Sequence, residues 1–351
     1  MNIVFVYSDI ELPQVNSVGW RGKMISNAIQ RTGLHHVSLV KYSDIHTNNK
    51  NAISCCMSSQ LIVLEGSIHF DMLNIVNYWK SRGKKVAVDI PASLESSCSE
   101  CFPSVENPFS IAHIYSNIHY QNSSQVDQTE RFRWGLHLAD CILVSSLHSQ
   151  SHWQSTAPIK QIRDFFHLES IQDIVKIQHD EFVIGLFYNS SPIHEDLQSL
   201  LQTISDEFPK VKWFPIGQPQ LLFGIHPDSI LNKMPLGLSS PWPKPLSIID
   251  LAILWDTQKN RGEYSTTLLE IMATKIPWAL NDGKGYKEFE KYGLIINNCS
   301  NWQQKLRNKL NQTISNKTDE ESGYLFSIGN NIEDHIHEII STYSDILKDS
   351  D

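Results

Sequence analysis

The sequence has no apolar stretch approaching the roughly 18 residues that a bilayer-spanning helix requires, and no basic segment precedes its opening run Met1–Tyr7. Neither a membrane-spanning helix nor a secretory leader is therefore expected. The chain is read as cytoplasmic, with peripheral contact to a membrane surface left open. Positive charge is also scarce: 29 Lys and Arg against 38 Asp and Glu give a formal net charge of −9. A protein that grips nucleic acid through its phosphates needs clustered cations, so nucleic acid is not an expected partner. Cysteine is sparse. Of six, Cys98 and Cys101 form one C-x-x-C with no second pair to complete a zinc site, and no metal is expected. The first strand-to-helix turn carries only Gly19-x-x-Gly22 where a dinucleotide fingerprint needs G-x-G-x-x-G, which ranks a dinucleotide oxidoreductase last.

What remains is an ordinary globular composition, 41% hydrophobic and 19% charged, over 351 residues. A length near twice the usual domain of about 150 residues suggests two domains, each able to bury its own core.

Apolar runs and helical patterns alternate along the chain. Strands are expected at Asn2–Tyr7, His36–Val40, Leu61–Leu64 and Lys85–Val88, with one helix ending near Thr32-Gly33 and another over Phe70–Ser81. Ser93–Asn122 is irregular and rich in Ser, Asn and aromatics, a long loop in this reading, and it carries His113 and His119. A helix over Gln128–Ala139, a strand over Asp140–Ser146 and a closing strand over Ile159–Phe166 follow, and polar Glu169–Asp180 reads as a linker. The alternation resumes with strands at Phe182–Tyr188 and Lys212–Gly217, and Pro235–Pro245 reads as a loop. Trp302–Leu310 and Ile332–Leu347 have amphipathic helical patterns.

One segment organises the second half. The run Leu251–Trp255 is short enough for a buried strand, and a polar, Gly-containing loop leads from it to a helix with Ser265 as N-cap. Leu268, Leu269 and Met272 give that helix an apolar stripe, Lys275 falls in its last turn and Pro277 opens the next strand. Thr267, Glu270 and Thr274 then share the opposite flank, since spacings of three, four and seven align along a helix. Free N–H groups at the helix start suit a phosphate.

This segment resembles the donor-sugar segment of the GT-B glycosyltransferases. The matching pieces are Asp250-Leu251-Ala252-Ile253, Asn260-Arg261-Gly262, Leu269-Glu270-Ile271-Met272-Ala273, Ile276-Pro277 and Tyr286, and Asp140–Ser146 matches the strand that precedes the second domain. The resemblance implies two Rossmann-like, doubly wound α/β domains facing a cleft: an acceptor domain over 1–168, a nucleotide-sugar domain over 169–330, and a terminal helix over 331–351 that packs back on the first domain. It also implies that Glu270 holds the ribose hydroxyls of a nucleotide sugar. Asn260, Gly262, Tyr264, Ser265, Thr266 and Thr267 would line its pyrophosphate together with Asn189 and Ser190, and Gly217 would lie near the base. Gly19, Arg21 and Asp89 would face the phosphate or acceptor, and Arg261, His113 and His119 are the catalytic candidates. Where the residues alone are weighed, Arg21 is equally well a surface helix residue.

The reaction implied is hexosyl transfer from a nucleotide-diphosphate sugar, a co-substrate and not a cofactor, to an unidentified glycan, lipid-linked sugar, protein or small molecule. Retention of configuration comes with the resemblance, and no tightly bound metal is expected. Glu263 and Thr267 stand where the family's loop often carries lysines. The alternative is a GT-B-like protein of impaired catalysis that binds a nucleotide, a sugar or a protein partner.

Overall fold

The structure, a computed structural model, describes residues 1–7, 18–65, 71–90, 125–145, 157–188, 195–216, 242–255, 265–281, 286–295, 302–314 and 320–348. These form two compact units. The first runs to Asp164 and includes the C-terminal stretch from Ile332, and the second is Phe165–Asn331.

In the first unit the strands are β1 (Asn2–Tyr7), β2 (His36–Lys41), β3 (Leu61–Glu65), β4 (Lys85–Ile90), β5 (Cys141–Val144) and β6 (Ile159–Gln161). The helices are α1 (Val18–Arg31), α2 (Tyr42–His46), α3 (Lys50–Ser58), α4 (Met72–Lys80) and α5 (Gln125–Leu138). All the strand pairings are parallel, in the order β2-β1-β3-β4-β5-β6. Parallel sheets carry helices on both faces, which is why the strands read as continuous apolar runs and not as an alternation. Val4 and Val6 pack with Trp79, Phe132 and Leu136 on one side. On β1, Phe5 meets the ring of Tyr343 edge-on at 5.8 Å.

The second unit contains β7 (Phe182–Phe187), β8 (Val211–Ile216), β9 (Leu251–Leu254), β10 (Trp278–Leu280) and β11 (Leu294–Ile295), again all parallel, in the order β11-β10-β9-β7-β8. Its helices are α6 (Glu169–Gln172), α7 (Glu195–Glu207), α8 (Ser265–Ala273), α9 (Trp302–Ile314) and α10 (Glu321–Ile328). A turn of 3-10 helix at Ile332–His335 leads into α11 (Ile336–Lys348), which belongs to the first unit.

One device recurs in both units. Asp140, just before β5, accepts from the N–H of Val86 through Oδ2 at 2.9 Å and donates its own N–H to the Val86 carbonyl at 2.8 Å. Asp250, just before β9, does the same to Val183, at 2.8 Å in both directions. Each carboxylate satisfies a donor at a strand end, where the sheet ladder leaves it open, and each carries lysine partners, Lys80 and Lys85 in one case and Lys176 in the other.

Several expectations are corrected. The polar linker over Glu169–Asp180 is built into the second unit: α6 lies within it, Ile171 is buried, and Ile174 and Ile177 pack on the core. Charged residues between the isoleucines disguise that face. Lys275 lies past the end of α8 with a left-handed backbone, φ 56°, and not in its last turn. Beyond β6 the chain from Ile162 to Phe165 is irregular, so the closing strand is shorter than its apolar pattern suggests.

Candidate functional site

Each sheet has one place where the chain reverses its direction of winding. In the second unit it lies between β7 and β9, because β7 is followed on one side by β8 and the chain then returns to the other side to lay down β9. Neighbouring connections leave on opposite faces there, which opens a crevice at the carboxyl ends of the strands where such sheets bind ligands.

Glu270 lies on α8, the helix that follows β9. The apolar stripe of α8 seats Leu268, Leu269, Ile271 and Met272 in the core, and with them goes Glu270, only 2% exposed. Its Oε2 accepts a hydrogen bond of 2.6 Å from the indole N–H of Trp242. Trp242 in turn stands edge-on to Phe187, the last residue of β7, with ring centroids 5.6 Å apart at 82°. The other oxygen, Oε1, is buried with no hydrogen-bond partner among the described residues. Burial pushes the carboxyl up to about 8, against a downward pull from the Trp242 hydrogen bond. The group is thus mostly protonated at neutral pH in the unliganded protein.

A carboxyl buried with one oxygen unpartnered is costly to a fold. An arriving hydroxyl meets a carboxyl already stripped of water.

The first unit gathers a second polar cluster. Arg21, in the first turn of α1, is buried. It donates from Nε to Asp89 Oδ2 at 3.0 Å, from one terminal nitrogen to Asp164 Oδ1 at 2.6 Å, and from the other to the carbonyl of Ile162. Asp89 lies at the carboxyl end of β4 and Asp164 beyond β6, so α1 is pinned to two strand ends at once. Burial works against the guanidinium charge, but the two carboxylates outweigh it and hold its pKa above the ordinary range. For Asp89 burial wins over Arg21, and its pKa is raised. Asp89 Oδ1 and the hydroxyl of Tyr343 on α11 are buried without a hydrogen-bond partner among the described residues. Burial first, and then the charge of Asp89, raises the Tyr343 phenol well above its usual value.

Among the described residues no group of three or more His, Cys, Asp or Glu is placed to hold a metal ion, and no helix is long and apolar enough to cross a membrane.

No protein-family model matches the sequence, and no curated protein does. Solved structures do. HepE of Anabaena, in complex with UDP-glucose, superposes with a TM-score of 0.61 at 13% identity, over 97% of this chain and 99% of its own. A glycosyltransferase from Rickettsia africae gives 0.59 at 13% identity over 99% of both chains. The fold is that of the GT-B glycosyltransferases. A Listeria monocytogenes protein described as a UDP-N-acetylglucosamine 2-epimerase gives 0.53 at 8% identity, over 99% of this chain and 97% of its own. At such identities likeness carries the fold and not the reaction.

Within this GT-B fold, the structure distributes the sequence-derived candidates as follows. Glu270 and Thr267 are both buried on α8, Thr267 being 7% exposed. Thr274, expected on the same flank, turns its hydroxyl back onto its own helix, donating to the carbonyl of Ile271 at 2.9 Å. Ser265 is the first residue of α8 and not the cap ahead of it, a difference of one position, and Thr266 follows it in the first turn. Gly19 lies in the first turn of α1 and not in a loop before it. Arg21 and Asp89 are brought together and bind each other, and the surface-residue alternative for Arg21 is overturned by its burial. Arg261, His113, His119, Asn260, Gly262, Tyr264, Asn189, Ser190 and Gly217 lie outside the described residues. Sequence reasoning missed Trp242, Asp164 and Tyr343. A tryptophan between Pro241 and Pro243 was the one available signal for the first of them.

Proposed function

We propose that this protein is a glycosyltransferase that takes its sugar from a nucleoside-diphosphate sugar, with Glu270 receiving the ribose of the donor. The observation that carries the reading is the buried, unpartnered Oε1 of Glu270 on the helix that follows β9, a strand of the second sheet's switch point. Ribose hydroxyls are the donors that such an acceptor lacks, and the sugar nucleotide bound to the structurally similar HepE supports the same class of ligand. In this reading the N–H groups at the start of α8 and Arg261 stabilise the leaving diphosphate, because fixed dipoles directed at developing charge lower the barrier. Retention of configuration extends the reading on the strength of the sequence resemblance, and independence of a tightly bound metal and a cytoplasmic location extend it on the strength of the residues alone. The acceptor is a hydroxyl-bearing molecule held by the first unit.

The reading is tested by thermal denaturation with UDP, ADP and GDP, since a ligand that prefers the folded state raises Tm. One of the three is expected to stabilise the protein, and Glu270→Ala to weaken its binding by roughly 1.5–3 kcal/mol, the worth of a hydrogen bond to a charged group. No shift with any diphosphate, or full binding by the alanine variant, overturns the assignment.

A second reading has one observation in its favour, Glu263 and Thr267 in place of loop lysines. It is a GT-B-like binding protein of impaired turnover. Clear nucleotide binding with no release of UDP from UDP-glucose, in a screen of acceptor sugars, decides for it.

A further inference from the structure

Trp242 does more than neighbour Glu270. Its ring packs on the apolar core of the second unit and is braced edge-on by Phe187, which is fully buried, so its position is set by contacts independent of the carboxyl. From that fixed position its N–H takes one oxygen of Glu270 at 2.6 Å and leaves Oε1 with none. A carboxylate with both oxygens free receives the two vicinal hydroxyls of a ribose, one on each. Here one oxygen is already engaged before any ligand arrives, by a donor that cannot swing away without unpacking from Phe187.

Resting on the reading of Glu270 as the ribose acceptor, we propose that Trp242 is a specificity-determining positioning residue. It occupies Oε2 so that Glu270 reads a single ribose hydroxyl through Oε1 rather than the pair. The site would then discriminate between the two deoxy forms of a nucleotide, because the hydroxyl bonded to Oε1 carries the affinity and its neighbour adds little. Hydrogen bonds to charged groups are each worth about tenfold to a hundredfold in affinity, so the asymmetry is measurable.

The experiment is calorimetric titration of the full chain with UDP, 2′-deoxy-UDP and 3′-deoxy-UDP, repeated on Trp242→Phe, which keeps the ring and removes the N–H donor. In the wild-type protein one deoxy analogue is expected to lose about tenfold to a hundredfold relative to UDP and the other to bind nearly as UDP does. In the phenylalanine variant Oε2 is free, and both analogues should lose affinity relative to UDP. Equal losses for the two analogues in the wild-type protein, with UDP itself binding, overturn the proposal and leave the donor reading intact. Failure of UDP, ADP and GDP alike to bind overturns both, and where ADP or GDP is the one that binds, its deoxy forms take the place of those of UDP. The wild-type comparison decides the question even where the variant folds poorly.

Discussion

Arg21 and Asp89, 68 residues apart in the chain, form a 3.0 Å ion pair in which both side chains are less than a tenth exposed. Breaking a buried pair leaves a charge with neither water nor partner, at roughly 3–5 kcal/mol. Arg21→Ala strands two carboxylates and should lower stability by about that amount. Asp89→Asn keeps an acceptor for the guanidinium and should lose less. Urea denaturation of the two variants checks the ranking, and an equal or reversed order would mean that the charge of Asp89 is indispensable and that Asp164 does not hold the arginine without it.

Asp250 is the residue that opens the segment most like the donor site of known transferases, yet its side chain caps the N–H of Val183 at 2.8 Å and pairs with Lys176 at 3.0 Å. Its role is to set the start of β9, as Asp140 sets that of β5. Alanine at either position leaves a strand-end donor unsatisfied, so each should cost about 1–3 kcal/mol. Nucleotide affinity at saturating stability should be unchanged in Asp250→Ala. A specific loss of UDP binding in a folded Asp250→Ala protein would contradict that assignment.

The legibility of the chain follows the range of the forces involved. Apolar runs such as Ile3–Val6 and Leu61–Leu64 announce buried strands because both faces of a parallel sheet are apolar, and a local pattern suffices. The stripe Leu268, Leu269, Met272 fixes which side of α8 is inward for the same reason. α2 and α3 escape, because Tyr42–Ser58 is largely polar with few apolar anchors, of which Tyr42, Ala52 and Cys56 are buried. The site partners escape for a different reason. Trp242 meets Glu270 across 28 residues and Asp164 meets Arg21 across 143, distances over which no periodicity is carried. A helical glutamate is solvated by default, and only tertiary packing makes this one buried.

Glu270 also ties stability to pH. Below about 4.5 the carboxyl is protonated whether the chain is folded or not, whereas between 4.5 and about 8 only the unfolded chain releases the proton. The folded state therefore binds more protons in that window, and stability falls as pH rises through it and levels off above 8. The full change, a shift of about three and a half units, is on the order of 5 kcal/mol. Glu270→Gln keeps an oxygen for the Trp242 N–H and cannot ionise, so the difference between wild type and variant isolates this group. The two units need not melt together, and the transition to follow is that of the second unit. A wild-type-minus-variant difference that does not change between pH 5 and 8 would show that Glu270 is ionised in the folded protein throughout.

The same protonation gives nucleotide binding a signature of its own. At pH 7 the unliganded carboxyl, raised to about 8 by burial, is mostly neutral. A ribose hydroxyl that donates to Oε1 favours the charged form, so binding should draw the pKa down and release a proton to the buffer. The heat measured by calorimetry then differs between two buffers of different ionisation enthalpy by up to one proton's worth at pH 7. The release should shrink above pH 8, where the carboxyl is already ionised before the ligand arrives. Diphosphates exchange protons of their own, so the quantity to read is again wild type minus Glu270→Gln. If UDP binds both proteins with the same number of protons released, nucleotide binding does not ionise Glu270.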